Sequence, residues 1–487
     1  MKKSILSILI ASTLIANVSF ADNSHWQDLA DLPFPNGYPT KAAQSELLDE
    51  LKFQRAVQTY LWALPAMNVS SMRRGMDDLV GTESNTLAIW KDRIDYHAKI
   101  STANSDVIYA FNWLDLKKEG PMVLDMPPKL QGLMDDMWHR PLSDIGGAGP
   151  DRGKGGKFLV LPPGYEGEVP EGYYVVRSKT YRVFVFLRAF VLNDDTNPGV
   201  SLLEQTKIYP LSKVNDQPKM SFPNMSGVDM AGDIRRDARY FDELAEFINY
   251  EAVSEKDMVM RGMLESIGIE KGKPFNPNKK DRALFDKAAK VAFKMAASQS
   301  YLTDESTRIY DESLPFAQVF INGNARFDQP TYHDLDSETA FFHKAYSTSD
   351  AMVLKMIGKG SQYVISFEDD KSQFLDGSKE YRFIMPANVP VANYWSVTGY
   401  DADSRSLIET TDQPYSAVSS TGKINYNADG TATIYMGTHK PANPDANWIQ
   451  TEEGKGFFFG IRLYSPLEPF FDQSWKPGTI SEFNYKN

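Results

Sequence analysis

The sequence predicts a mainly β protein with a helical middle: two antiparallel β-sandwich or jelly-roll-like domains joined by an α-helical segment. Three observations predict it. Short β-branched and aromatic runs separated by turn residues fill 106–192. Apolar residues then recur at helical spacing from Tyr240 to Leu302. Short strand-like runs return between Tyr363 and Tyr464. The implied divisions are an export signal (1–21), an N-terminal coil and helix (22–80), a first β domain (81–230), a helical region (231–345) and a second β domain (346–487).

Taken in order, Leu47, Leu48, Leu51, Val57, Leu61 and Leu64 fall near helical spacing, with Pro65 as the expected stop. Asp106 to Asp115 reads as a strand, Gly120-Pro121 as a turn and Met122 to Met126 as a second strand. Leu130 to Trp138 fits a helical turn or a strand. Phe158 to Leu161, Tyr173 to Arg177 and Tyr181 to Leu192 continue the set. The last run puts Val183, Val185 and Leu187 on one side and Phe184, Phe186 and Arg188 on the other. Apolar residues on both sides predict a sheet covered on both faces. Helices are expected over 240–251, 257–267 and 279–302, where Ala288, Ala289, Ala292, Ala296 and Ala297 permit close approach. Strands follow at 363–367, 381–385, 393–400, 406–410, 431–436 and 456–464, with turn signals at Asp376-Gly377 and Asp429-Gly430. No sequence repeat at fixed period links the two β regions.

A length of 487 residues predicts two or three units at roughly 100–200 residues each. The net charge of −12 argues against non-specific binding to nucleic acid or anionic lipid, so an anionic ligand needs a local basic patch. Lys2 and Lys3, the apolar run Ile5 to Val18 and Ser19-Phe20-Ala21 read as an export signal, which predicts a periplasmic or secreted protein. No transmembrane segment is expected after its removal. The chain has no cysteine, which excludes disulfides, thiolate metal sites and thiol catalysis.

The most unusual stretch is Arg140 to Tyr165. Glycines at 146, 147, 149, 153, 155 and 156 alternate with Asp144, Asp151, Arg152, Lys154 and Lys157, and a strand follows. Glycine this dense leaves amide N–H groups uncovered, so they can line an anion-binding concavity. A Walker loop would instead lead through Gly-Lys-Ser/Thr into a helix, and no dinucleotide fingerprint appears, so no nucleotide cofactor is expected.

These residues carry a family resemblance. Thr102 to Tyr109, Gly120-Pro-Met-Val, Gly149 to Lys157 and Leu161-Pro-Pro-Gly-Tyr165 resemble the exported bacterial proteins of domain of unknown function 1254. Asn393 to Asp401, Arg405-Ser-Leu, Phe459 to Pro466 and Trp475-Lys-Pro resemble the companion domain 1214. The resemblance implies two β-sandwich-like domains joined by helices. It transfers no catalytic residue.

The residue chemistry points first to a metal-assisted phosphoesterase acting on a small polyanionic phosphate ester, such as a phosphorylated sugar or polyol. Asp144, Asp151 and His139 are the candidate ligands of a divalent metal ion, whose bound water would attack. Arg152, Lys154, Lys157, Gly155 and Gly156 would hold the phosphate. Asp151, His139 and Arg188 are the candidate catalytic residues. Arg188 stands in an otherwise buried strand and needs a partner: Asp125, Asp151 or a ligand. His333 with Asp334 and Asp336 is a second place for a metal. The alternatives are a sugar, polyol or envelope-component binding protein using Tyr394, Trp395, Tyr400 and Trp475, or a homo-oligomeric surface-interaction protein.

Overall fold

A computed structural model describes residues 24–191 and 194–483. The expected signal at 1–21 lies outside the described residues. The chain divides into two compact units at Gln54/Arg55, within helix α1 (Lys41–Trp62). Helix α2 (Leu64–Val80) follows at once. Helix α1 thus ends at Trp62, close to the stop expected at Pro65, and Pro65 itself lies in the first turn of α2. Its missing N–H breaks no intrahelical bond there. Among the described residues no helix is long and apolar enough to cross a membrane.

The first β region contributes a short strand, Ala88–Ile89, and β1 (Val107–Asp115), β2 (Met122–Met126), β3 (Gln131–Asp136), β4 (Pro141–Ile145), β5 (Gly156–Leu161), β6 (Tyr174–Arg177), β7 (Arg182–Phe190) and β8 (Lys207–Pro210). One sheet runs in the order Ala88–Ile89, β1, β7, β3, β4; the other runs β6, β5, β2, β8. All pairings are antiparallel except β5 with β6. The sheets stack through Ile108, Ala110, Val183, Val185 and Leu187 on one side and Leu124, Phe158, Val160 and Ile208 on the other. The alternation along β7 thus sends its aliphatic residues into the sandwich. Phe184, Phe186 and Arg188 point to the opposite face with Tyr109, Phe111 and Trp113 of β1. That second face is an aromatic wall, with Phe111 and Phe186 5.1 Å apart edge to face.

Helices α3 (Arg239–Tyr250), α4 (Met258–Ser266), α5 (Lys279–Ser300) and α6 (Leu335–Lys344) lie between the β regions. Helix α5 buries its alanine row and packs on α6, where Ser300 donates to the Ala340 carbonyl at 2.9 Å.

The second sandwich has a short strand, Ala317–Gln318, and β9 (Ser361–Ser366), β10 (Tyr381–Met385), β11 (Trp395–Asp401), β12 (Ala417–Ser419), β13 (Ala432–Gly437), β14 (Asn447–Gln450), β15 (Phe457–Tyr464) and β16 (Ile480–Glu482). The strand expected over 406–410 reduces to a bridge between Leu407 and Tyr400. The sheet orders are Ala317–Gln318, β9, β15, β11, β12 and β14, β13, β10, β16. Strand for strand, and in the same chain order, this repeats the first sandwich. The repeat includes its single parallel pair, here β13 with β14. The duplication is one of topology, which is why no repeat of fixed period marks it.

The glycine stretch makes one of its turns without choice. Gly155 has φ +70°, and a Cβ there would meet the Met126 carbonyl oxygen at 2.4 Å. Gly147 has no neighbour closer than 4.0 Å to such a Cβ. Gly155→Ala is expected to lower unfolding free energy by about 1–3 kcal/mol, and Gly147→Ala by less than about 1 kcal/mol. Denaturant melts of the two variants check this.

Candidate ligand chamber between the two sandwiches

Because each sandwich turns a second, chemically mixed face outward, the two faces can close on one another. Where they do, a partly open cavity of about 80 Å³ remains. Tyr109, Phe186 and Arg188 come from the first sandwich; Tyr363, Ile365, Tyr400, Arg462 and Tyr464 come from the second. Phe341, Lys344 and Tyr346, at and just after the end of α6, complete the wall. The lining carries three cationic side chains and no carboxylate. In a chain of net charge −12 that is a strong local reversal. A vestibule of about 260 Å³ adjoins the chamber and shares Arg188, Met352 and Tyr464 with it. Asp144, Gly147 and Ala148 form one of its sides, and Lys359, Gly360 and Asn393 another.

Arg188 stands where the two cavities meet. Its Nε is buried without a hydrogen-bond partner, and among the described residues its guanidinium forms no ion pair. It packs over the Phe186 ring at 4.9 Å. Burial works against its charge, yet the surrounding Tyr363, Tyr109, Tyr464 and Tyr346 push its pKa above the usual arginine value. Of its expected partners, Asp125 lies opposite Lys157 in the other sheet, and Asp151 is engaged by backbone amides. Arg462 is held by neutral acceptors: Nη1 donates to Thr398 Oγ1 at 3.0 Å, and Nη2 to the Thr102 carbonyl at 2.9 Å. Lys344 donates to the Ser300 carbonyl at 3.2 Å.

His139 sits in the protein interior. It is buried and stacked on Phe342, with ring centroids 5.2 Å apart. Its Nδ1 lies 3.3 Å from Asp135 Oδ2 and its Nε2 3.3 Å from Asn68 Oδ1. Burial lowers its pKa to about 3 and raises that of Asp135 well above its usual value. Asp135 Oδ2 accepts from Ser347 Oγ at 2.7 Å, and Asn68 Nδ2 donates to the Phe342 and Ala345 carbonyls, both at 3.1 Å. This network ties α2 and β3 to the segment that carries Lys344 and Tyr346. His139 is a positioning residue behind the chamber wall.

The glycine stretch does not form the expected anion site. Asp151 is buried, and its two carboxylate oxygens accept from the Gly146 and Gly155 amides at 2.8 and 3.2 Å. The acid therefore staples the loop, and the Gly155 amide is not free for phosphate. Gly156 begins β5 opposite Met126. Arg152, Lys154 and Lys157 are exposed, and none lines the chamber or the vestibule. Asp144 does line the vestibule, where its Oδ2 accepts from the Ala351 amide at 3.2 Å and burial raises its pKa. Among the described residues no group of three or more His, Asp or Glu side chains is placed to hold a metal, so His139, Asp144 and Asp151 do not converge on one. Asp334 caps α6 through the Ser337 amide, and His333 bridges Asp328 and Glu338 at 2.9 and 3.1 Å. Tyr394, Trp395 and Trp475 are buried, and Trp395 and Trp475 belong to the second core. Tyr400 alone of the four aromatics reaches the chamber.

Fold and chamber together define a class: paired β-sandwiches whose facing sheets enclose a cationic cavity. Two family models match parts of the chain. The protein of unknown function family DUF1254 matches residues 84–210, and the protein of unknown function family DUF1214 matches residues 360–468. The chain pairs these two domains in that order, and the helical region lies outside both. The VPA0106 protein from Vibrio parahaemolyticus has a similar structure, with a TM-score of 0.55 at 18% identity over 89% of this chain and 100% of that one. An uncharacterised protein from Burkholderia cenocepacia aligns more loosely, with a TM-score of 0.42 at 12% identity over 95% and 98%. No curated protein matches the chain.

Burial lowers the Lys344 pKa to about 7, whereas an unfolded lysine keeps its proton to about 10.4. Between those values the unfolded state binds the extra proton, so this group makes stability rise with pH. From pH 7 to 9.5 the wild-type protein is expected to gain stability relative to Lys344→Met, by up to about 1.4 kcal/mol per pH unit. Urea melts at each pH read the slope, and equal slopes would mean the amine is solvated.

Proposed function

We propose that this protein binds a small organic anion in the chamber between its sandwiches, with the Arg188 guanidinium as the principal contact. One observation carries the reading: a half-buried arginine that faces a cavity, with its Nε unbonded and, among the described residues, no ion-pair partner. An uncompensated guanidinium away from bulk water is costly. A carboxylate or phosphate oxygen pair meets its fork bidentately and removes that cost. Phe186, Phe341 and Ile365 offer an apolar surface to the rest of the ligand. With the lysine-led N-terminus, this makes an exported binding protein for a small anion.

Phosphoester hydrolysis at the glycine stretch has less support, because its three cations are exposed and its metal ligands do not converge. The aromatic sugar platform has less support because three of its four rings lie away from the chamber lining.

Calorimetric titration of the full chain with short carboxylates and inorganic phosphate tests the reading. Arg188→Met is expected to weaken binding by about 100-fold, the ~2–3 kcal/mol of a buried charged contact. The same variant should melt higher than wild type without ligand, since a buried unpaired charge is gone. Lys154→Ala and Lys157→Ala should leave affinity within about twofold. Anion affinity unchanged in Arg188→Met would sink the proposal.

A further inference from the structure

The topological duplication places the two chamber arginines at equivalent positions. In the first sandwich Val107 pairs with Phe190 and, two residues inward, Tyr109 pairs with Arg188. In the second, Ser361 pairs with Tyr464 and, two residues inward, Tyr363 pairs with Arg462. The edge strands keep the same register, with Ala88 opposite Phe111 and Ala317 opposite Ile365. Each domain therefore offers the chamber one tyrosine–arginine pair, from the same two strands at the same height.

We propose that the two pairs form a two-armed clamp for a doubly charged oxyanion, a short dicarboxylate or a phosphate group, which bridges the domains when bound. This rests on the Arg188 reading and adds Arg462 as the residue that selects the second charge. Arg462 bonds only neutral acceptors, Thr398 Oγ1 and the Thr102 and Ala103 carbonyls. They fix its direction, and the Asp106 carboxyl, which is not part of the lining, acts on it without forming an ion pair. Among the described residues neither guanidinium has an ion-pair partner, and no carboxylate lines the chamber. A monoanion compensates one buried cation and leaves the other; a dianion compensates both. The chamber volume of about 80 Å³ restricts the charged part of the ligand to a compact group.

The experiment compares butyrate, succinate and inorganic phosphate at pH 8 by calorimetry on the full wild-type chain, Arg462→Met and Arg462→Lys. Thermal melts confirm that each variant folds. A clamp predicts that succinate or phosphate binds wild type at least about tenfold tighter than butyrate. It predicts that this advantage disappears in Arg462→Met while butyrate binding persists, and that Arg462→Lys, which keeps charge without the fork, falls between. Succinate ahead of phosphate assigns the dicarboxylate, and the reverse order assigns the phosphate group. Butyrate bound as tightly as both dianions, or a dianion preference that survives Arg462→Met, overturns the clamp and leaves the Arg188 site standing. Loss of the preference in wild type does not require any variant to fold. If no anion binds wild type, the Arg188 reading falls and the clamp falls with it.

Discussion

Two guanidinium groups facing one small, carboxylate-free space set the terms for the rest of the molecule. A buried cation without a counter-charge is among the more expensive things a fold can hold. Here both are kept, one from each sandwich. Burial works against both charges, yet the tyrosines around them, with the Asp106 carboxyl in the case of Arg462, hold both pKa values above the usual arginine range. Phenols orient and stabilise a cation without discharging it, which leaves room for an anion that a carboxylate partner would have excluded.

The chain reaches this arrangement by making the same sandwich twice. The first copy buries a mainly aliphatic face and the second a mixed aliphatic and aromatic one, and each turns aromatic residues of its longer sheet towards the chamber. Neither second face could meet water over its whole area at small cost. Apposing them buries much of both, and the residual space is lined by Arg188 and Arg462. Helix α6 and the following residues close the remaining side. The Asn68–His139–Asp135–Ser347 network holds that closure from behind the lining.

Much of the fold was legible. The alternation along β7 predicted a sheet covered on both faces, and the helices at 239–300 followed from spacing alone. Pro65 marked the end of α1 to within three residues, and because proline is compatible with a first turn it also lies at the start of α2. The site was less legible for a physical reason. Local sequence marks loops rich in glycine and charge, whereas this chamber is assembled from residues more than 300 positions apart. Arg188 was recognisable as a cation in a buried strand. Its counterpart was spelled in the same way, Phe184…Arg188…Phe190 against Phe458…Arg462…Tyr464, but the signal spans seven residues and has no flanking period. Glycine density drew attention to 146–156, where the real constraint is close backbone packing around Asp151.

Duplication also explains why the glycine stretch is present in one sandwich only. The span from β4 to β5 crosses from one sheet to the other, as does the span from β12 to β13. In the first sandwich that crossing passes Gly147 and Ala148 along the vestibule, while Gly358–Gly360 approaches from the second. Side chains larger than these would narrow the only route from the vestibule side to Arg188 that the described cavities outline. Small residues at such a place keep a passage open without themselves binding anything, and the stapling of the loop by Asp151 keeps it from collapsing inward. The glycines, on this argument, serve access to the arginines, and the chemistry belongs to the strands behind them.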